Sequence, residues 1–86
     1  MSRTFQLIAK LSLHPVTAAI WLNKWDGQSD YSVQIERRYK DANGTWRSTE
    51  TLDAADVPLV AQIKEMARSE IEKLMADERQ PRQTED

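Results

Sequence analysis

The chain of 86 residues contains no cysteine, one histidine and two glycines. No disulfide can form, and a single histidine without cysteine does not build a zinc site. A domain this small buries only about 60% of the surface of its unfolded chain and often relies on disulfides, a metal or self-association. With the first two excluded, the sequence predicts a homodimer that uses no metal or cofactor, and the absence of cysteine fits a cytoplasmic location.

The sequence also lacks a long apolar run and a recognisable catalytic arrangement. No segment approaches the roughly 20 apolar residues of a membrane-spanning helix. The amino-terminal MSRTFQLIAKLSL alternates and is interrupted by Lys10, unlike the unbroken apolar segment of a signal peptide. His14 stands alone before a proline, and neither Ser29 nor Ser32 has a partner base. We therefore expect a soluble protein that is not an enzyme, binds no small-molecule substrate and does not enter the membrane.

Alternation between apolar and polar residues predicts four β-strands. It covers residues 5–13, 16–23, 31–40 and 45–52. His14 and Pro15 separate the first two strands, because proline lacks the N–H that a strand ladder needs. The polar segment NKWDGQSD at residues 23–30 predicts a mobile loop.

The sequence DANG between the last two strands is compatible with two hairpin registers. A two-residue turn at Asn43-Gly44 pairs Arg37 with Glu50 and Ile35 with Leu52. A three-residue turn closed by a bulge at Gly44 pairs Lys40 with Trp46 instead. The first register joins opposite charges and matches apolar with apolar residues, so the sequence favours it.

One amphipathic helix is predicted at residues 56–78. Asp53 and Asp56 are both candidate N-caps, and Asp56 is favoured because it sets Pro58 at the second helical position. The apolar stripe consists of Val60, Ile63, Ala67, Ile71 and Leu74. Residues 79–86 are polar and predict a disordered tail. The fold class is therefore α+β: one domain over residues 1–78, with a four-stranded antiparallel sheet followed by a long helix.

The strand alternation predicts two different faces of the sheet. The apolar face, which the helix is expected to cover, consists of Phe5, Leu7, Leu11, Leu13, Val16, Ile20, Leu22, Val33, Ile35 and Leu52. Tyr39 and Trp46 are predicted on that same face, as packing or dimer-contact residues. The opposite face is expected to hold four basic side chains and one acidic one, namely Lys10, Arg38, Lys40, Arg47 and Glu36. It is thus positive, although the whole chain has a net charge of −2.

Positive charge beside aromatic rings is the composition that holds single-stranded nucleic acid, since cations contact phosphates and rings stack on bases. The predicted binding residues are Lys10, Trp21, Trp25, Arg38, Lys40 and Arg47. Polar residues also occupy the solvated face of many antiparallel sheets that bind nothing. The alternative hypothesis is a protein-interaction module, a small inhibitor or adaptor, that uses Trp21, Trp25 and the acidic face of the helix.

The run YSVQIERRYKDANGTWRS, followed by TETLDAAD and a helix carrying LVAQIKEM, resembles the single-stranded-DNA-binding domain of the positive cofactor four family of transcriptional coactivators. The chain is also similar to small bacterial proteins with the same Tyr-Ser-Val and Gly-x-Trp sequences. The resemblance covers roughly residues 9–75. It implies a curved four-stranded sheet, dimerisation involving the helix, a single strand held along the sheet, and Arg38, Lys40 and Arg47 as backbone contacts. The predicted function is single-stranded nucleic-acid binding in transcription or replication, with DNA favoured over RNA and an RNA-selective version as a further alternative.

Overall fold

A computed structural model describes residues 3–79 of the chain. The strands are β1 (Arg3–Leu13), β2 (Val16–Trp25), β3 (Gln28–Lys40) and β4 (Trp46–Thr49). A 3-10 turn at Ala54–Asp56 leads into the helix α1 (Val57–Arg79). The strands form one antiparallel sheet in the order β1-β2-β3-β4, so the predicted α+β fold class is confirmed. The helix extends one residue beyond the predicted boundary at 78, and the rest of the predicted tail, residues 80–86, lies outside the described residues.

The predicted loop at residues 23–30 is wrong, because this segment is a tight hairpin. β2 continues to Trp25 and β3 begins at Gln28, which leaves only Asp26 and Gly27 in the turn. Both turn residues have positive φ, 48° and 77°. This geometry is typical of a type I′ turn, whose twist matches that of the flanking strands. The Asp-Gly pair therefore determines the local structure in spite of its polar surroundings.

A β-bulge in β1 reverses the faces of the first residues of that strand. Leu7 lies opposite Trp21 while Ala9 lies opposite Ile20, so Ile8 is an extra residue between the two pairs. Because successive side chains alternate between faces, the insertion moves Phe5 and Leu7 away from the helix. Their predicted place on the apolar face is therefore wrong.

The register predicted for the last hairpin is also wrong, and the alternative with a bulge at Gly44 is the one observed. Lys40 pairs with Trp46 and Arg38 with Ser48. The Asp41 carboxylate organises this turn by accepting the backbone N–H groups of Asn43 at 2.9 Å and Thr45 at 3.0 Å. Gly44 has a φ of 79°, a conformation that favours glycine.

The helix start is tied to β3 by one arginine. The helix α1 begins at Val57, immediately after Asp56, with Pro58 at the second position as predicted. The buried Asp56 carboxylate accepts the backbone N–H of Asp53 at 3.1 Å and lies 3.3 Å from Nε of Arg37. The Arg37 Nε also donates to the Thr51 carbonyl at 3.3 Å. These contacts explain why Arg37 does not pair with Glu50.

The core lies between α1 and the first two strands, with which the helix makes most of its contacts to the sheet. Among the described residues, the buried apolar side chains are Val16, Ala18, Ile20, Leu22, Ile63 and Ala67. The Cα radius of gyration is 16.2 Å, well above the roughly 12 Å expected of a compact chain of this length. The domain is therefore a thin sheet and helix with a small core. No helix in residues 3–79 is long and apolar enough to span a membrane.

Candidate functional site

The face of the sheet that points away from α1, called the open face here, carries the candidate site. A shallow depression of about 170 Å³ lies at its centre. Its lining combines apolar, polar and charged side chains from all four strands: Leu7, Lys10, Thr17, Ala19, Trp21, Gln34, Glu36, Arg38 and Ser48. Trp21 is half-buried there, between Leu7 on β1 and Ser32 on β3.

An indole flanked by two cations lies at the β4 end of the open face. The Arg38 guanidinium carbon is 5.8 Å from the centroid of the Trp46 ring, and the Lys40 ammonium nitrogen is 5.2 Å from it. The His14 ring meets the same indole edge-on, with centroids 6.0 Å apart. We call these four residues the Trp46 cluster. Trp46 is 49% exposed, so about half of its surface stays accessible beside the two cations and His14.

A second group of aromatic and cationic side chains lies at the opposite end of the open face. The Arg3 guanidinium carbon is 5.6 Å from the Phe5 ring centroid and 5.4 Å from that of Trp25. We call these three residues the Trp25 cluster. Phe5 is 60% exposed, an unusual degree for a phenylalanine in a strand. The β1 bulge creates this cluster, because without it Phe5 and Arg3 would project from the helix side.

Polar side chains fill the interval between Trp21 and the Trp25 cluster. The Asn23 amide nitrogen donates to the Asp30 carboxylate at 3.0 Å and to the Ser32 hydroxyl at 3.2 Å. Farther along β3, the Gln34 amide donates to the Glu36 carboxylate at 3.2 Å. The middle of the open face therefore offers hydrogen-bonding groups and one cation, Lys10, while Arg3, Arg38 and Lys40 lie toward its two ends.

Five of the six predicted site residues lie together on the open face. They are Lys10, Trp21, Trp25, Arg38 and Lys40. Arg47 lies opposite Tyr39 and therefore projects from the helix side, so its predicted place on the open face is wrong. The physical reason is the bulged register of the last hairpin, which shifts β4 by one residue relative to the prediction.

Arg47 has a local partner instead. Its Nε donates to the Asp41 carboxylate at 2.6 Å. This hydrogen bond, together with the backbone N–H of Thr45, lowers the pKa of Asp41. Arg47 thus contributes to the turn rather than to the open face.

Three functional candidates on the open face were missed by sequence reasoning: Arg3, Phe5 and Trp46. The sequence predicts Trp46 on the core face because the register that its charges favour differs by one residue from the observed one. It predicts Phe5 there because strict alternation through residues 5–13 contains no bulge. The signal for a change of phase is the run Leu7-Ile8-Ala9, in which three apolar residues follow one another.

The open face is positive even though the chain is not. It carries the basic side chains Arg3, Lys10, Arg38 and Lys40 and the acidic side chains Asp30 and Glu36.

On the exposed side of α1, Arg68 is engaged by Glu65 and Glu72. Those carboxylates raise the pKa of Arg68, and its guanidinium lowers that of Glu65. Within residues 3–79 no three acidic or histidine side chains are arranged to hold a metal ion.

A separate apolar groove runs along the helix side of β3. It has a volume of about 370 Å³. The groove is lined by Val33, Ile35, Ala67 and Ile71, with Lys64, Arg68 and Glu72 at its rim. The helix packs mainly on β1 and β2, which leaves the apolar side chains of β3 only partly covered.

No family model matches the chain, and no curated protein or solved structure shows significant similarity to it. The resemblance to the positive cofactor four domain therefore stays a prediction.

Proposed function

We propose that the chain is a single-stranded nucleic-acid-binding module whose open face holds the strand. The observation that carries this proposal is the exposed indole of Trp46 with Arg38 and Lys40 within 6 Å of its centroid. A ring face for a base and cations for the adjoining phosphates are the two components of such sites. Trp21, Trp25 and Lys10 extend the same combination along the face.

The arrangement favours single strands over duplexes. In a duplex the base faces are stacked on one another, so an indole gains nothing unless the helix first opens. A single strand presents its base faces freely, and each stacked base contributes about 1–3 kcal/mol. Sequence-independent binding follows, because every base has a stacking face. Such a module acts where strands are separated, as in transcription or replication, and the resemblance favours DNA.

Charge and stacking contribute in different ways, and a matched pair of arginines separates them. Replacing Arg38 with glutamine is expected to weaken binding and to reduce the slope of log affinity against log salt by about 0.7, because one phosphate contact is lost. Arg47→Gln removes the same charge from the neighbouring strand but from the opposite face, and its slope is expected to stay near the wild-type value. Fluorescence anisotropy of a labelled oligonucleotide at four salt concentrations measures both slopes.

If the two arginine variants change the slope equally, binding depends on overall charge and not on the open face. That result would contradict the proposed site while leaving nucleic-acid binding intact. If the slope of log affinity against log salt is reduced in Arg47→Gln but not in Arg38→Gln, the phosphates lie on the helix side of the sheet.

We also propose that the module is a homodimer in which a second copy covers the apolar groove beside β3. The radius of gyration of 16.2 Å and the small core indicate a chain that buries too little apolar surface on its own. The groove offers Val33, Ile35 and Ile71, and its rim carries both charge signs, in Lys64 and Glu72. A two-fold arrangement lets each rim meet the opposite charges of its partner.

Sedimentation equilibrium at micromolar concentration is expected to give about twice the chain mass of 10.0 kDa. Ile71→Glu is expected to return the protein to the monomer mass, because an unpaired carboxylate is costly to bury in the groove. Ser69→Glu adds the same charge at an exposed helix position outside the groove, and it should stay dimeric. A monomeric wild-type protein, or a dimer that Ile71→Glu leaves intact, would overturn this assignment.

A further inference from the structure

The open face has an aromatic cluster at each end, and the β1 bulge places Phe5 and Arg3 in one of them. With strict alternation, β1 would present Phe5 to the helix side. The extra residue Ile8 turns Phe5 and Arg3 to the open face, where Arg3 lies within 6 Å of both the Phe5 and the Trp25 ring centroids. The Trp46 cluster has the same composition of exposed ring and cation. The two clusters belong to opposite ends of the sheet.

We infer that one single strand bridges both clusters, so that the Trp25 cluster is a second stacking site and the binding site spans the full length of the open face. This inference rests on the proposed function and extends it to the length and binding mode of the ligand. Trp21 lies between the clusters and provides an intermediate ring.

The length of β3 sets the distance that the strand must cover. Trp25 pairs with Gln28 at one end of β3, and Trp46 pairs with Lys40 at the other. Lys40 lies twelve positions after Gln28 along β3, which corresponds to about 40 Å at 3.3 Å per residue. A stacked strand advances about 3.4 Å per nucleotide, so about 12 nucleotides reach across, and a more extended strand needs fewer.

The distribution of charge supports attachment at the two ends. Three of the four cations of the open face lie at its ends, Arg3 at one end and Arg38 with Lys40 at the other. The interval between them holds one cation, Lys10, and both acidic groups, Asp30 and Glu36, so its net charge is negative. Phosphates are therefore attracted most strongly at the ends. Two weak attachments joined by one strand act together, because the second contact forms at a high effective concentration.

Oligothymidylates of 4 and 12 nucleotides distinguish one platform from two. The 12-mer reaches both clusters, whereas a 4-mer reaches one. We expect the 12-mer to bind at least roughly 100-fold more tightly than the 4-mer. If the open face had a single platform, the 12-mer would bind more tightly only because it contains several short segments that can each occupy that platform. This advantage is roughly tenfold.

Variants at each end then assign the platforms. Trp25→Ala and Trp46→Ala are each expected to weaken 12-mer binding by roughly 5- to 150-fold, the equivalent of one lost stacked base. For the 4-mer each variant is expected to change affinity by at most about twofold, because the other cluster is still available. Phe5→Ala changes an exposed side chain of the same cluster as Trp25 and tests that platform even if Trp25→Ala fails to fold, which circular dichroism reveals.

If Trp46→Ala weakens binding of both oligonucleotides equally while Phe5→Ala and a folded Trp25→Ala change neither, the site has one platform and this inference is overturned, although the proposed function survives. If the wild-type protein binds neither oligonucleotide at low salt, the proposed function fails and the inference fails with it. The bridging strand is also contradicted if the 12-mer binds only about tenfold more tightly than the 4-mer and neither Trp25→Ala nor Phe5→Ala weakens binding of the 12-mer.

Discussion

Replacing Ile63 with alanine is expected to lower the free energy of unfolding by about 2–5 kcal/mol, the largest stability effect of any single change considered. Ile63 is fully buried and packs against Val16 and Ala18 of β2. The shorter side chain leaves a cavity in the core. Because few buried apolar residues surround it in the described chain, they cannot rearrange enough to fill it. Chemical denaturation followed by circular dichroism measures the loss.

Val57→Ala is the matched control for this prediction, because it shortens an apolar side chain on the same helix at a position that is 57% exposed. Its effect is expected to stay within about 0.5 kcal/mol. Equal losses in the two variants would mean that the helix does not pack on β2 as described.

Replacing Trp21 with alanine is expected to weaken binding of a single strand by about 1–3 kcal/mol without changing the salt dependence. The indole lies at the centre of the open face and carries no charge. Its loss therefore removes stacking but no phosphate contact. Anisotropy titrations at several salt concentrations separate the two contributions.

Tyr39→Ala provides the aromatic control for Trp21. Tyr39 lies on the helix side of β3, where the Arg37 guanidinium is 5.5 Å from its ring centroid. Binding by this variant is expected to match that of the wild type. A comparable loss of affinity in both variants would indicate that fold stability and not stacking is being measured.

The order of elements could be predicted from the sequence because it depends on patterns that are local in the chain. A few neighbouring residues are enough to predict the period-two strands and the apolar stripe of α1. They are also enough to predict the start of the helix, which follows Asp56 and has Pro58 at its second position. The open-face positions of Trp21, Arg38 and Lys40 follow from the same alternation, since no bulge interrupts β2 or β3 in the observed pairing.

The errors arose where one residue changes the phase of a strand. Ile8 is apolar like its neighbours, so the alternation alone does not mark it as the extra residue of a bulge. At the last hairpin, cross-strand charge matching favoured Arg37 with Glu50, but Arg37 is held by Asp56 from outside the hairpin. The Asp41 carboxylate then fixes the bulged turn locally. The bulge in β1 turns Phe5 to the open face, and the bulged register of the last hairpin does the same for Trp46.

Binding of a single strand by the open face is tested most directly by titrating the wild-type protein with a labelled single strand and the corresponding duplex at low and moderate salt. We expect tighter binding of the single strand at both salt concentrations, because its bases are free to stack on the open face. We also expect binding to weaken as salt increases, because cations contact the phosphates. Absence of binding to the single strand at low salt would contradict the proposed function and favour the protein-interaction hypothesis, while equal affinity for the duplex would contradict stacking on the open face.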